Sequence, residues 1–139
     1  MSLFNVFNIT GSGMSAQSMR LNTTASNIAN ADSVSSSINE TYRARHPVFA
    51  AAMQKAADGQ DASVGVQVLG IVESDKPLTV EYAPEHPMAD KEGYIYKPNV
   101  NVIEEMTNMI SASRSYQTNV QLAESAKNML NKTLQLGQR

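Results

Sequence analysis

The sequence predicts a mainly α protein with a small β middle region, its two terminal helices pairing as a coiled-coil-like hairpin. Three observations carry this. An apolar rhythm of alternating three- and four-residue steps runs through the first thirty residues. The same rhythm, stronger, runs through the last forty. Between them lies a more highly charged stretch with strand-like alternation and turn residues. The ranges are 1–32 for the N-terminal helix, 33–100 for the β and loop middle, and 101–139 for the C-terminal helix.

In the first segment the rhythm passes through Phe4, Phe7, Gly11, Met14, Ser18, Leu21, Ala25 and Ile28. Small residues on this seam admit a second helix closely but bury little area. Gly11 and Gly13 each cost roughly 1 kcal/mol relative to Ala in a helix. The flanks are Asn, Ser, Thr and Gln, so this helix is marginal alone and needs a partner.

The last segment repeats the steps through Val102, Met106, Met109, Ser113, Tyr116, Val120, Ala123, Lys127, Leu130 and Leu134, with Ile103 and Ile110 widening the face. Asn101 and Glu104 form a capping-box pattern. Pro98 discourages an earlier start, and Gly137 marks the stop. Glu104 and Glu105 suit the positive end of the helix dipole. A helix from Val102 to Leu136 is about 52 Å long, too long to fold back on a small core. Met14, Met106, Met109 and Met129 lie on or near the helical faces. Methionine fills irregular gaps, and it also suits a surface that packs against several different neighbours.

In the middle, strands are predicted over 64–73, 77–82 and 93–97, with Thr41 to Phe49 a further candidate and Ser74 to Pro77 a turn. Ala50 to Ala57 is ambiguous between helix and strand. Short strands of this kind depend on their neighbours for stability.

Composition excludes several function classes. The chain of 139 residues carries 11 Lys and Arg against 13 Asp and Glu, a net charge of −2. That balance gives no basic face for nucleic acid. Charged residues make up 17%, against about 25% in a typical soluble domain, which points to surface that partners cover. Without Cys there is no disulfide, thiol nucleophile or cysteine-ligated metal. The longest apolar run, Val48 to Met53, is too short to span a bilayer, and the N-terminus lacks the pattern of a cleaved signal.

No catalytic, cofactor-binding or metal-binding residue is predicted. His46 and His86 each precede a proline and lack a ligand-spaced companion. Asp58 to Asp61 is an incomplete calcium loop and reads as an acidic turn. Gly11-Ser12-Gly13 is too short for a phosphate cradle. Arg43 and Arg45 near Tyr42 read as a solvated strand face. An enzyme needs convergent polar groups in a pocket, and none is visible. From the residues alone, a soluble coiled-coil adaptor or a secreted needle-like structural protein remains open beside a polymerising subunit.

The run Ala25-Ser26-Asn27-Ile28-Ala29-Asn30-Ala31 strongly resembles the N-terminal signature of bacterial flagellar rod and hook proteins. Ser111 to Asn119 resembles their C-terminal segment. His86-Pro87, Ala89-Asp90, Gly93-Tyr94, the stretch Pro98 to Val102 with Glu105-Met106, and the tail Lys132 to Gln138 are similar to the proximal-rod members of that family. The resemblance covers nearly the whole chain. It implies a structural subunit of the flagellar basal body, exported unfolded by the flagellar type III apparatus without a cleaved signal. The subunit would polymerise in the periplasm into the torque-transmitting rod, a helical tubular assembly. Implied partners are copies of the chain, the rod proteins FlgB, FlgF and FlgG, and the base protein FliE. Expected subunit-packing residues are Phe4, Phe7, Met14, Leu21, Ala25, Asn27, Ile28, Asn30, Val102, Met106, Met109, Tyr116, Val120, Leu130 and Leu134. Asn27 and Asn30 are expected either to bond amides across subunits or to stand at an exposed helix end.

Overall fold

The computed structural model describes residues 3–52 and 64–137, with side chains from Asn5 onward. Two long helices, α1 (Leu3–Ala29) and α2 (Val102–Gly137), enclose four strands in sequence. These are β1 (Arg45–Ala52), β2 (Gly65–Glu73), β3 (Thr79–Tyr82) and β4 (Tyr94–Lys97). The Asp58–Asp61 turn and most of Ala50 to Ala57 lie outside the described residues, and Ala50 to Ala52 close β1.

Each helix end has a local cause. Asn101 caps α2, its Oδ1 accepting the Ile103 and Glu104 amides at 3.1 and 3.3 Å. Glu104, expected to reach back to the cap, forms an ion pair with Lys76 at 3.8 Å instead. At the end of α1 the Asn30 side-chain Nδ2 donates to the Ser26 carbonyl at 2.8 Å. The same carbonyl also accepts the Asn30 backbone amide at 3.2 Å, so both N–H groups of Asn30 close on the last turn.

The strands form two separate antiparallel pairs. β1 and β2 run from Arg45 opposite Glu73 to Ala52 opposite Gly65, with a bulge at Val48 and Phe49. β3 and β4 pair Thr79 with Lys97 and Tyr82 with Tyr94. Their connection needs Gly93, whose φ is +86° and where an added Cβ would lie 2.9 Å from the Tyr82 ring. The segment after α1 joins this second pair, since Ser35 and Tyr96 exchange backbone hydrogen bonds at 3.1 and 3.0 Å.

The helices run side by side and antiparallel. Asn27 meets Glu105, Arg20 meets Asn108, and Gly13 meets Asn119. The β1–β2 pair lies against α1, where Ser12 Oγ accepts the Val66 amide at 3.1 Å. The core is small. Among the described residues the buried apolar side chains are Ala16, Ala44, Ile95, Ala112 and Ala126, and the largest fully buried side chain is Asn27.

Candidate assembly site

The buried face of α1 is polar. Thr10, Thr23, Thr24 and Asn27 are sheltered along with Ala16. Hydroxyls can be buried here because they carry their own acceptors. Thr10 donates to the Val6 carbonyl and Thr23 to the Met19 carbonyl, both at 2.8 Å, so neither is left unpaired. Close approach is set by Gly13, where a Cβ would lie 3.0 Å from the Asn119 side chain.

Asn27 is the polar junction of the subunit. Its Nδ2 donates to the Arg45 carbonyl at 2.8 Å and to Glu105 Oε2 at 3.0 Å. Its Oδ1 accepts from the Tyr42 hydroxyl and the Arg45 amide, both at 2.9 Å. Two donors and two lone pairs are thus all engaged. One side chain ties α1, the segment before β1, β1 itself and α2 together. Bonding across subunits has no free donor or acceptor at Asn27, because the interior consumes them. Glu105, expected to act only through the helix dipole, is a buried member of this junction. Arg45 closes its rim, stacking 5.5 Å over the Tyr42 ring and pairing with Glu73 at 3.2 Å.

Asn99 makes a second latch. Its Oδ1 accepts the Ala44 amide at 2.8 Å, and its Nδ2 donates to the carbonyls of Ser74 and Lys76 at 3.2 and 2.7 Å. Asp90 makes a third, accepting the amides of Glu92 and Tyr94, both at 2.9 Å. The Tyr94 amide is the main cause holding the Asp90 carboxyl below its ordinary range. Glu81 is lowered chiefly by its hydrogen bond from Lys97, while burial raises the Tyr96 phenol.

What remains open is apolar. On α2, Ile103 is 78% exposed, Met106 54%, Ile110 56%, Leu122 51%, Met129 60%, Leu134 60% and Leu136 74%. The α2 residues sheltered against the rest of the chain are instead Glu105, Ala112 and Ala126, with Met109, Asn119, Ala123 and Leu130 half-buried. This inner stripe keeps Met109, Ala123 and Leu130 of the expected seam, while Tyr116, from the same row, is exposed. Of the other expected row, Ser113 and Val120 are half-buried and Met106 and Leu134 exposed, and Glu105, Ala112 and Ala126 are the fully sheltered positions. Small residues let the backbones approach, and the larger apolar side chains turn outward.

Of the expected packing residues, Ala25, Val102, Met106, Tyr116 and Leu134 are exposed on the single chain. Phe7, Met14, Leu21, Ile28, Asn30, Met109, Val120 and Leu130 are half-buried, Asn27 is buried, and the Phe4 side chain lies outside the described residues. Sequence reasoning missed the junction partners Tyr42 and Glu105 and the latch at Asn99. The signal available for Asn99 and Glu105 was their place within the signature runs, and Tyr42 stands in none of them. Among the described residues no cluster of His, Asp or Glu could hold a metal ion, and no helix is long and apolar enough to cross a membrane.

Comparison with known proteins decides the family. Residues 7–35 match the model described as flagella basal body rod protein. Residues 91–136 match that of the flagellar basal body rod FlgEFG protein C-terminal. The chain is 49% identical over 138 residues to the flagellar basal-body rod protein FlgC of Salmonella typhimurium, covering 99% of this chain and 100% of the relative. The FlgC of Yersinia enterocolitica matches at 49% with the same coverage. That of Buchnera aphidicola from Schizaphis graminum is 42% identical over 140 residues, covering 99% of this chain and 100% of the relative. The chain belongs to the FlgC family of flagellar basal-body rod proteins. It is a structural subunit of the rod, and it assembles with other basal-body rod proteins. The two family-model matches fall on either side of β1, β2 and β3 and cover most of α1 and α2, two of the elements that the Asn27 junction ties together. Asn27 lies in one, Glu105 in the other, so a FlgC subunit joins its two signature segments through one buried side chain.

Proposed function

We propose that the open α2 face is the surface on which FlgC subunits pack into the rod. Terminal helices of successive subunits would line a tube with the β middle region outside it, corresponding to ranges 1–32 and 101–139 within and 33–100 around. Met106, Tyr116 and Leu134 from the expected packing set, with Ile103, Ile110 and Leu122, would be covered by copies of the chain and by the neighbouring rod proteins FlgB, FlgF and FlgG and the base protein FliE. On this reading the subunit is exported by the flagellar type III apparatus without a cleaved signal, and it acts in the periplasm as part of the drive shaft and export channel. Packed side chains resist compression, which is the property a shaft under torque requires.

The observation that carries the reading is the inversion of α2. Ala112, Ala126 and Asn119 lie on the sheltered side, while Ile103, Met106, Ile110, Leu122, Met129, Leu134 and Leu136 are exposed. Exposed apolar surface of this extent on a helix marks a contact surface. Repetition of one such head-to-tail contact by rotation with a rise along the axis yields an open helical filament, whereas the same contact without a rise would close into a ring.

The test is Ile110→Asp. Ile110 is 56% exposed on the single chain, so an acid there leaves the subunit folded. It would put an unpaired charge into the assembled contact at a cost of several kcal/mol. Swimming should be lost and purified basal bodies should lack the variant, while its circular dichroism stays that of the parent. Normal motility of this variant would refute the proposed face.

A further inference from the structure

α1 carries one charged residue, Arg20. Its guanidinium donates to the neutral Asn108 Oδ1 at 2.9 Å and has no carboxylate partner among the described ion pairs. Beside it is a pocket of about 310 Å³ between α1, β1 and α2, lined by Arg20, Thr24, His46, Pro47, Phe49 and Asn108. This lining contains no acid. It combines the Arg20 guanidinium and the polar side chains of Thr24, His46 and Asn108 with the apolar surfaces of Pro47 and Phe49. Such a pocket suits a carboxylate on a short aliphatic stem, with bidentate bonding at the guanidinium.

The complementary group stands on α2. Beyond Glu105 that helix has a single acid, Glu124, exposed and without an ion pair among the described residues. Glu124 stands at seven-residue spacing in line with Ile103, Ile110 and Gln117, so a partner that covers the open α2 face covers Glu124 as well. A carboxylate removed from water needs a cation. Its own chain cannot supply Arg20, because Asn108, which Arg20 touches, lies about 24 Å along the helix from Glu124 at 1.5 Å per residue.

We propose that the Arg20 pocket receives the Glu124 side chain of a second copy of this chain, and that this pair sets the register between adjacent subunits. The inference rests on the packing reading above. Pocket and acid are different patches, so the contact is head-to-tail, and with a rise along the axis it propagates. Against an α1 whose one charge is Arg20, one buried pair discriminates between registers that apolar contacts alone would tolerate.

The chain has no cysteine, so the pairing can be read by cross-linking in intact basal bodies. A variant with both Arg20→Cys and Glu124→Cys, treated with a short bismaleimide, should yield covalent multimers of this chain, and each single variant should not. Only monomers, in basal bodies that retain the double variant, would overturn the pairing. So would cross-links solely to a different protein. Charge reversal decides the case in which the double-cysteine chain is not incorporated. Arg20→Glu and Glu124→Arg should each reduce swimming at least tenfold, and the two together should restore it; a double reversal as defective as the singles would overturn the pairing. Absence of the unaltered chain from purified basal bodies would instead overturn the packing reading beneath it.

Discussion

Asn27 concentrates more of the subunit's integrity than any apolar side chain does. It is fully buried and engages two backbone groups, a phenol and a carboxylate. Asn27→Ala should destabilise the free chain by about 2–3 kcal/mol, because partners left buried and unpaired carry most of the cost. Thermal unfolding followed by circular dichroism checks this, and an unchanged midpoint would show that water replaces the amide without loss. Asp90 gives a pH prediction. Hydrogen bonds hold its carboxyl below the ordinary aspartate value, so the stabilisation it confers is present above that value and is lost as pH falls through the depressed one. The Glu92 and Tyr94 amides should therefore stay protected from neutral pH down to about pH 4 and lose protection below it, as amide exchange would reveal. Loss of protection already near neutrality would contradict this role. The presence of Asn27, Asp90 and Asn99 could be read from the sequence, but their jobs could not. Each bonds to groups between 2 and 78 positions away, and periodicity has no means of expressing such pairings.

The helices were legible as elements because their apolar steps persist over many turns. Val102 as the start of α2 and Asn101 as its cap follow from local chemistry, and the structure has both. The strands over 64–73, 77–82 and 93–97 correspond to β2, β3 and β4 with small trims at the ends. The candidate Thr41 to Phe49 shifts to Arg45–Ala52, because Tyr42 and Ala44 serve the Asn27 and Asn99 latches before the ladder begins. Which helix face turns inward was less legible. A hydrophobic pattern counts Thr10 and Thr23 as solvent-facing, whereas back-bonding to the preceding turn lets them be buried. It also ranks Met106 above Ala112 for burial, although close helix approach selects the smaller residue. Gly13 belongs to this scale. Gly13→Leu should force α1 from α2 at Asn119 and cost about 1–3 kcal/mol, the usual range for overpacking. Denaturant unfolding measures it, and a variant as stable as the parent would show that Asn119 moves aside freely.

For the whole molecule, the balance of surface and core is what gives the subunit its character. Among the described residues, a buried apolar set of four alanines and one isoleucine gives little of the burial by which chains of this length ordinarily hold together. The larger apolar side chains lie outside, on a helix of 36 residues, about 54 Å long. The low charged fraction of 17% belongs to the same design, since surface destined for coverage carries few charges. The latches set the shape of the subunit, and the neighbours supply the burial that the subunit lacks. The most direct measurement is the reactivity of a single cysteine placed by Ile110→Cys, read with a maleimide on the free chain and on purified basal bodies. The thiol should react rapidly in the free chain and at least tenfold more slowly in the rod; equal reactivity in both states would mean that the open face stays open, and the account would be wrong.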